Sequence, residues 1–352
     1  MTPTPEALLQ LAIDRGASDV HINPGRPPVY RLDGRLVPLS GEDLTAEDTE
    51  ALCKQLCPEV SWEEVGEVGS ADFALEHSSG NRFRASILRQ RRGHAAVLRL
   101  IPNELLSLDQ IGLPQAFRDV LLLPRGLVLV TGPTGSGKTT TLASMIDWIN
   151  TNQDRHIVTV EDPVEYFHEH KKGLVTQREL GADVPDFPEA LRRALRQDPD
   201  VILLGEMRDL DTISAAITAA ETGHLVFGTL HTTGSARTVD RIIDAFPANQ
   251  QEQIRSQLSV SLQGVLSQLL LPRAGGKGRV AAFEIMLMTP AIANLIRKSE
   301  TNKIQSTLQT SRRMGMVTLD DHLLELTQAG KVEREAALDA AQNRSDLEAR
   351  LP

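Results

Sequence analysis

Apolar and polar positions in the first hundred residues alternate in short blocks, and the period changes from block to block. Pro5 to Ile13 predicts a short amphipathic helix that Gly16 can stop. Asp19 to Ile22 predicts a strand. Val29 to Val37 is interrupted by Asp33-Gly34, a strong signal for a tight hairpin turn between two strands. Thr45 to Leu56 predicts a helix with Thr45 as its N-cap and Glu47 and Asp48 in the first turn. Strands follow over Asp72 to Glu76, Arg82 to Gln90 and His94 to Ile101, with Ser78 to Asn81 as a turn. In Arg82 to Ile87 the alternation sets Arg82 and Arg84 on one face and Phe83, Ala85 and Ile87 on the other. Residues 1–103 therefore predict a small α+β domain with a largely antiparallel sheet. Pro102 opens an expected linker over residues 104–123, punctuated by Leu113-Pro114 and Leu123-Pro124.

From Arg125 onward strands and helices alternate. Leu127 to Val130 is a continuous apolar run, the mark of a strand buried on both faces. A helical pattern from Thr140 to Trp148 follows, then the strand His156 to Val160, a strand near Gly173 to Gln177 and a helix over Pro188 to Gln197. Val201 to Leu204 predicts a buried strand, Asp211 to Thr222 an alanine-rich helix and Leu225 to Leu230 another strand. Such alternation implies a parallel sheet, whose ligands sit at the carboxyl ends of the strands. Ala236 to Leu271 predicts a helical region broken at Pro247. A turn over Pro272 to Gly278 then precedes the strand Arg279 to Ile285, and Thr289 to Leu347 predicts helices separated by Gly315 and Gly330. The core of this second domain is expected over 124–288, with a C-terminal helical region over 289–352.

Composition narrows the field. The apolar fraction of 41% and charged fraction of 24% are ordinary for a globular protein. Aromatics at 3% argue against stacking platforms for single-stranded nucleic acid, and a formal net charge of -10 argues against general nucleic-acid binding. Cys53 and Cys57 lie one helical turn apart with no other ligand cluster nearby, so they are expected as reduced, partly buried small hydrophobes. No signal peptide and no long apolar run are visible, so a soluble, cytoplasmic chain is expected.

The chemistry concentrates between the Leu127–Val130 strand and the helix after it. Gly132-Pro133-Thr134-Gly135-Ser136-Gly137-Lys138-Thr139 fits G-x-x-x-x-G-K-T, and strand, glycine loop and helix come in the order a P-loop requires. The glycines let backbone N–H groups line an anion-binding concavity, and the helix N-terminus adds its positive dipole end. Lys138 is expected on the β- and γ-phosphates, the Thr139 hydroxyl on Mg²⁺, and Thr140 at the loop's helical end. Glu206, after Val201 to Leu204 and Gly205, stands where an ATPase needs a base or water-orienting carboxylate. Glu161, Asp162 and Glu165 form an acidic cluster at a neighbouring strand end. Glu161 and Asp162 are expected toward Mg²⁺ or its waters, and Glu165 is the catalytic candidate among the three. His231, beside Thr232 and Thr233 at the carboxyl end of Leu225–Leu230, is expected to sense the γ-phosphate. His224, at the other end, is a candidate for the same chemistry or for a subunit or structural contact. Arg82, Arg84 and Arg99 are candidate arginine fingers for a neighbouring subunit's nucleotide, or a solvated strand face.

Four motifs in order carry a family resemblance: the Walker A loop Gly132 to Thr139, Glu161-Asp162-Pro163-Val164-Glu165, the Walker B segment Asp200 to Asp209, and Thr222 to Thr232 with its two histidines. Together they resemble the secretion ATPase superfamily, and within it the type IV pilus retraction ATPases, the PilT family. The resemblance runs from Ala17 to Met316. Extension and secretion motors of the superfamily usually carry a longer N-terminal region and a four-cysteine zinc module, whereas Leu271 to Arg279 holds no cysteine. Ala291-Ile292-Ala293-Asn294-Leu295-Ile296-Arg297 matches a retraction-branch pattern except that Ala293 stands where that pattern has arginine.

The resemblance implies an α/β architecture, a C-terminal RecA-like P-loop ATPase domain after a smaller N-terminal α+β, PAS-like domain. It implies a homohexameric ring with ATP and Mg²⁺ bound between the two domains, hydrolysis rotating one domain against the other. The ring is expected at the cytoplasmic face of an inner-membrane platform protein, driving pilus retraction and twitching motility, with no nucleic acid and no insertion into the membrane. The alternatives are an extension or type II secretion motor, a RecA-like helicase, and a nucleotide-binding paralogue that regulates a partner motor without turnover.

Overall fold

The computed structural model describes residues 4–32, 35–39, 41–101, 105–276 and 278–351. The chain divides into two compact units, Met1–Glu104 and Leu105–Pro352. No helix among the described residues is long and apolar enough to cross a membrane.

The first unit runs α1 (Pro5–Asp14), β1 (Asp19–Ile22), β2 (Val29–Leu32), β3 (Arg35–Pro38), α2 (Ala46–Leu56), α3 (Glu59–Val68), β4 (Ser70–Glu76), β5 (Arg82–Gln90) and β6 (Gly93–Ile101). Its sheet has the order β3-β2-β1-β6-β5-β4, and each neighbouring pair is antiparallel. The Asp33-Gly34 turn falls outside the described residues, but Leu32 pairs with Arg35 across it. Thr45 caps α2 through a reciprocal pair of bonds with Asp48, the capping box its spacing allows. The period of two in β5 buries Phe83, Ala85 and Ile87 against Leu8, Val20, Tyr30 and Leu98, and leaves Arg84 exposed. Arg82 is buried despite sharing that face, at 6% exposure. Cys53 is buried and Cys57 half-buried, both free thiols; burial pushes the Cys53 thiol up to about 12, which keeps it protonated and unreactive. α3 is an element the sequence pattern does not signal, since Val60, Val65, Gly66 and Val68 dilute its helical propensity.

The second unit opens with α4 (Leu108–Ile111), α5 (Gln115–Arg118) and a 3-10 turn (Asp119–Leu122). It continues through β7 (Gly126–Thr131), α6 (Lys138–Asn152), β8 (His156–Glu161), β9 (Leu174–Glu179), α7 (Phe187–Ala194), β10 (Val201–Leu204), α8 (Leu210–Glu221) and β11 (Leu225–Leu230). Then come α9 (Ser235–Asp244), α10 (Gln251–Ser261), β12 (Leu262–Pro272), β13 (Arg279–Leu287), α11 (Pro290–Arg297), α12 (Ile304–Thr310), α13 (Leu319–Gln328), α14 (Arg334–Ala340) and α15 (Arg344–Arg350).

The sheet order is β13-β12-β7-β11-β10-β8-β9, parallel from β12 to β9, with β13 antiparallel at the edge. All six residues of β7 are buried, as its unbroken apolar run requires of a central strand. One face is covered by Leu142, Met145, Ile146 and Ile149 of α6 packing on Val128, Val130, Val201, Leu203 and Phe227. On the other, α7 and α8 pack on Leu129, Ile202, Leu204 and Val226.

Two expectations are corrected here. Residues 105–123 are not a free linker: Leu108, Leu113, Phe117 and Leu121 are buried in the same core as α6. Nor is Ala236 to Leu271 helical throughout, because its last ten residues belong to β12. That segment is rich in leucine and glutamine, which favour helix locally. Pairing with β7 on one side and β13 on the other overrides the preference.

Candidate functional site

The carboxyl ends of β7, β8, β10 and β11 converge on the loop between β7 and α6. Its glycines are needed where they stand. Gly132 (φ 144) and Gly137 (φ 85) adopt backbone angles that side chains rarely take. A Cβ on Gly132 would lie 2.2 Å from the Gln268 carbonyl oxygen, and one on Gly137 2.9 Å from Gln268 Nε2. Pro133, Thr134 and Gly135 form the exposed crest, while Ser136 and Lys138 are buried at its base. Thr139 and Thr140, the next two residues of α6, are half-buried. Lys138 folds back over the loop, its Nζ donating to Gly132 O at 2.9 Å and Pro133 O at 3.1 Å. Burial pulls its ammonium below the usual lysine range, opposed by the Glu206 carboxylate. Ser136 Oγ and Thr131 Oγ1 are buried without a hydrogen-bond partner. Two orphaned hydroxyls, a lysine resting on backbone carbonyls and a glycine nest form a cradle that fits an anionic group.

Glu206 follows β10 as expected. Its carboxylate is gripped from both sides, by Arg208 Nη2 at 2.7 Å and by His231 Nε2 at 3.1 Å. Burial works against its ionisation, but the Arg208 and His231 contacts prevail and hold it below the ordinary glutamate range. His231 turns its other nitrogen, Nδ1, to Thr134 Oγ1 at 3.5 Å. One histidine thus bridges the carboxylate and the crest of the P-loop.

Glu161 ends β8 on the face that α6 covers, two residues beyond Thr159 and four beyond Ile157. It is 7% exposed and accepts from Thr159 Oγ1 at 2.7 Å and Gln177 Nε2 at 3.2 Å. Asp162 beside it is exposed and Glu165 half-buried. Tyr166, which the sequence reading missed, closes this loop onto the P-loop helix with its hydroxyl 2.9 Å from Thr140 Oγ1. Burial raises the Tyr166 phenol, the Thr140 contact opposing it, so the hydroxyl stays protonated. A lone tyrosine five residues past a strand end gives no sequence signal of such a contact.

Of the remaining candidates, one lies far from the loop and three belong to the first unit. His224 lies at the amino end of β11, where it bonds back to Ala219 O. β11 pairs with β7 from Leu225↔Gly126 to Leu230↔Thr131, so His224 is a strand length, roughly 20 Å, from the loop. Catalysis at this P-loop is therefore not open to it within one chain. Arg82, Arg84 and Arg99 belong to the first unit, where Arg84 and Arg99 are paired neighbours on β5 and β6. Arg99 Nε also meets the buried Asp19 carboxylate at 2.9 Å. Ala293 is 7% exposed, packed into the base of α11 beside Ile292 and Ile296.

Residues 2–338 match the family described as "Type II/IV secretion system protein". The chain is 49% identical over 334 residues to a Pseudomonas aeruginosa protein described as "Type IV pilus retractation ATPase PilT". That alignment covers 95% of this chain and 97% of the relative. It is 50% identical over 320 residues to a "Twitching motility protein" of Neisseria gonorrhoeae, covering 91% and 86% of the two chains. Among solved structures, "Crystal Structure of the Pilus Retraction Motor PilT and Bound ADP" superposes with a TM-score of 0.92 at 45% identity, covering 99% of each chain.

Proposed function

This chain belongs to the type II/IV secretion system protein family, and on that premise we propose that it is an ATP-hydrolysing motor that powers type IV pilus retraction. The observation that carries the reading is the Glu206–His231–Thr134 bridge, an ionised carboxylate held at the crest of a P-loop. Lys138 and the loop amides bind the phosphates, and Glu206 orients or deprotonates the attacking water while His231 reports on the γ-phosphate. The oxygen donors Thr139, Glu161 and Asp162 suit Mg²⁺, which would neutralise charge on the phosphates. Glu165 remains a second carboxylate candidate.

The motor works as a homohexamer on an inner-membrane platform protein, facing the cytoplasm, and Arg82, Arg84 and Arg99 are its candidate arginine fingers. The first unit would be the PAS-like domain, and the RecA-like domain would begin at Leu105, where the second unit with its buried core starts, and run to about residue 288, with 289–352 as the helical addition. The relatives' descriptions, retraction and twitching motility, favour retraction over extension, as does the cysteine-free β12–β13 turn.

The test is Glu206→Gln in the purified protein and in cells. Nucleotide binding is expected to persist while turnover falls about 10²–10⁴-fold, the range of a lost general base. Cells lacking the gene should carry abundant pili without twitching, and wild type but not Glu206→Gln should restore movement. Normal turnover in the variant would refute the role of Glu206, and loss of pili in the deletion would mean extension.

A further inference from the structure

β12, the strand hidden in a helix-like sequence, lies directly beside the P-loop. Gln268 sits on it at 2% exposure and uses both ends of its amide. Nε2 donates to Ser136 O at 2.7 Å, and Oε1 accepts from Thr141 Oγ1 at 2.7 Å. Its backbone carbonyl is also the atom that forbids a side chain on Gly132, and its Nε2 the atom nearest a side chain on Gly137. One residue therefore meets the loop at its first glycine, at its last glycine and at the first turn of its helix.

A planar trans peptide sets its C=O and N–H on opposite sides. Holding the Ser136 carbonyl against β12 consequently turns the next amide, Gly137 N–H, away from β12. A P-loop binds phosphate through N–H groups turned in this way. Resting on the nucleotide reading above, we infer that Gln268 is a positioning residue for phosphate binding, fixing the Ser136–Gly137 peptide so that its N–H is presented to the nucleotide. It touches no substrate itself. Its action runs through the loop backbone, by way of the Nε2 donor on the Ser136 carbonyl. A hydrocarbon of the same length would fill the space but leave the Ser136 carbonyl buried and the peptide free to rotate.

The full-length protein is tested with ADP and with inorganic pyrophosphate, a probe carrying only the phosphates, in Gln268→Leu, Gln268→Glu and Thr141→Val variants. Gln268→Glu keeps the acceptor for Thr141 and loses the donor to Ser136, and it replaces Gln268→Leu should leucine prevent folding. Both Gln268 variants are expected to bind ADP and pyrophosphate about tenfold or more weakly, the scale of one lost buried hydrogen bond and a freed peptide. Thr141→Val removes only the contact to the helix and is expected to stay within about twofold of wild type. Wild-type affinity in the Gln268 variants would overturn the inference. So would equal losses in Thr141→Val that follow thermal stability, because they would make the network mere packing. A wild-type protein that binds neither probe would instead refute the nucleotide reading itself.

Discussion

Phe117 tests where the motor's core begins. It lies on α5, in the stretch whose prolines suggest a linker, and is fully buried among Val128, Met145, Phe227 and Phe283. Its ring packs so closely on β12 that a Cβ placed on Gly264 would stand 3.0 Å from Phe117 Cε2. Polar ties hold the same segment: Arg118 Nε donates to Leu113 O at 2.8 Å, Gln153 Nε2 to Leu121 O at 3.0 Å and Arg155 Nη1 to Leu123 O at 2.8 Å. Those ties keep the backbone in place, so Phe117→Ala leaves a cavity rather than letting the segment collapse. Truncating a ring in such a site costs about 3–5 kcal/mol. For a unit of this size each kcal/mol lowers the melting temperature by about 2–4 °C, so a fall of about 6–20 °C is expected in differential scanning calorimetry. The first unit's transition, where it is resolved, should not move. A loss under about 1 kcal/mol would refute the reasoning and return residues 105–123 to the status of a connector.

Three further outcomes follow from the site and its surroundings. Lys138→Ala should abolish measurable ATP turnover and weaken ADP binding at least tenfold by fluorescence titration, with little change in melting temperature, since among the described residues its ammonium donates only to Gly132 O and Pro133 O. Arg208→Ala should move the acid limb of the kcat–pH profile upward. Arg208 heads the contacts that hold Glu206 below its ordinary range, so Glu206 would begin to take up protons at higher pH once it is gone; an unmoved limb would count against Glu206 as the titrating group. Asp321→Asn should destabilise the C-terminal helices by about 1–3 kcal/mol near neutral pH, because the buried Asp321 carboxylate in the first turn of α13 meets Arg350. Burial opposes ionisation of Asp321, but Arg350, Thr318 and Arg312 hold it below the usual range. Its contribution is therefore complete above about pH 4 and fades below that, and denaturation curves of variant and wild type should draw together as pH falls.

The P-loop, Glu206 and His231 were legible because each is announced by its neighbours: a glycine pattern after a buried strand, or a polar residue closing an apolar run. A parallel sheet presents its strand ends along one edge, so order in the sequence maps onto proximity in space. Tyr166 and Gln268 carry no such announcement. Each becomes part of the site through an element distant in sequence, one meeting Thr140 and the other meeting Ser136 and Thr141. His224 is the reverse case: it shares a motif with His231, but that motif spans a whole strand and puts its two histidines at opposite ends of β11, as their spacing in the sequence implies.

The sequence by itself determined the two-unit organisation in outline, the alternating strands of the second unit and the phosphate loop, because local period and glycine geometry leave few other solutions. The tertiary structure alone decided that 105–123 belongs to the core and that 262–272 is a strand. It also decided that a glutamine on that strand supports the loop. In each case the local pattern permits more than one conformation, and burial against β7 and α6 selects one of them.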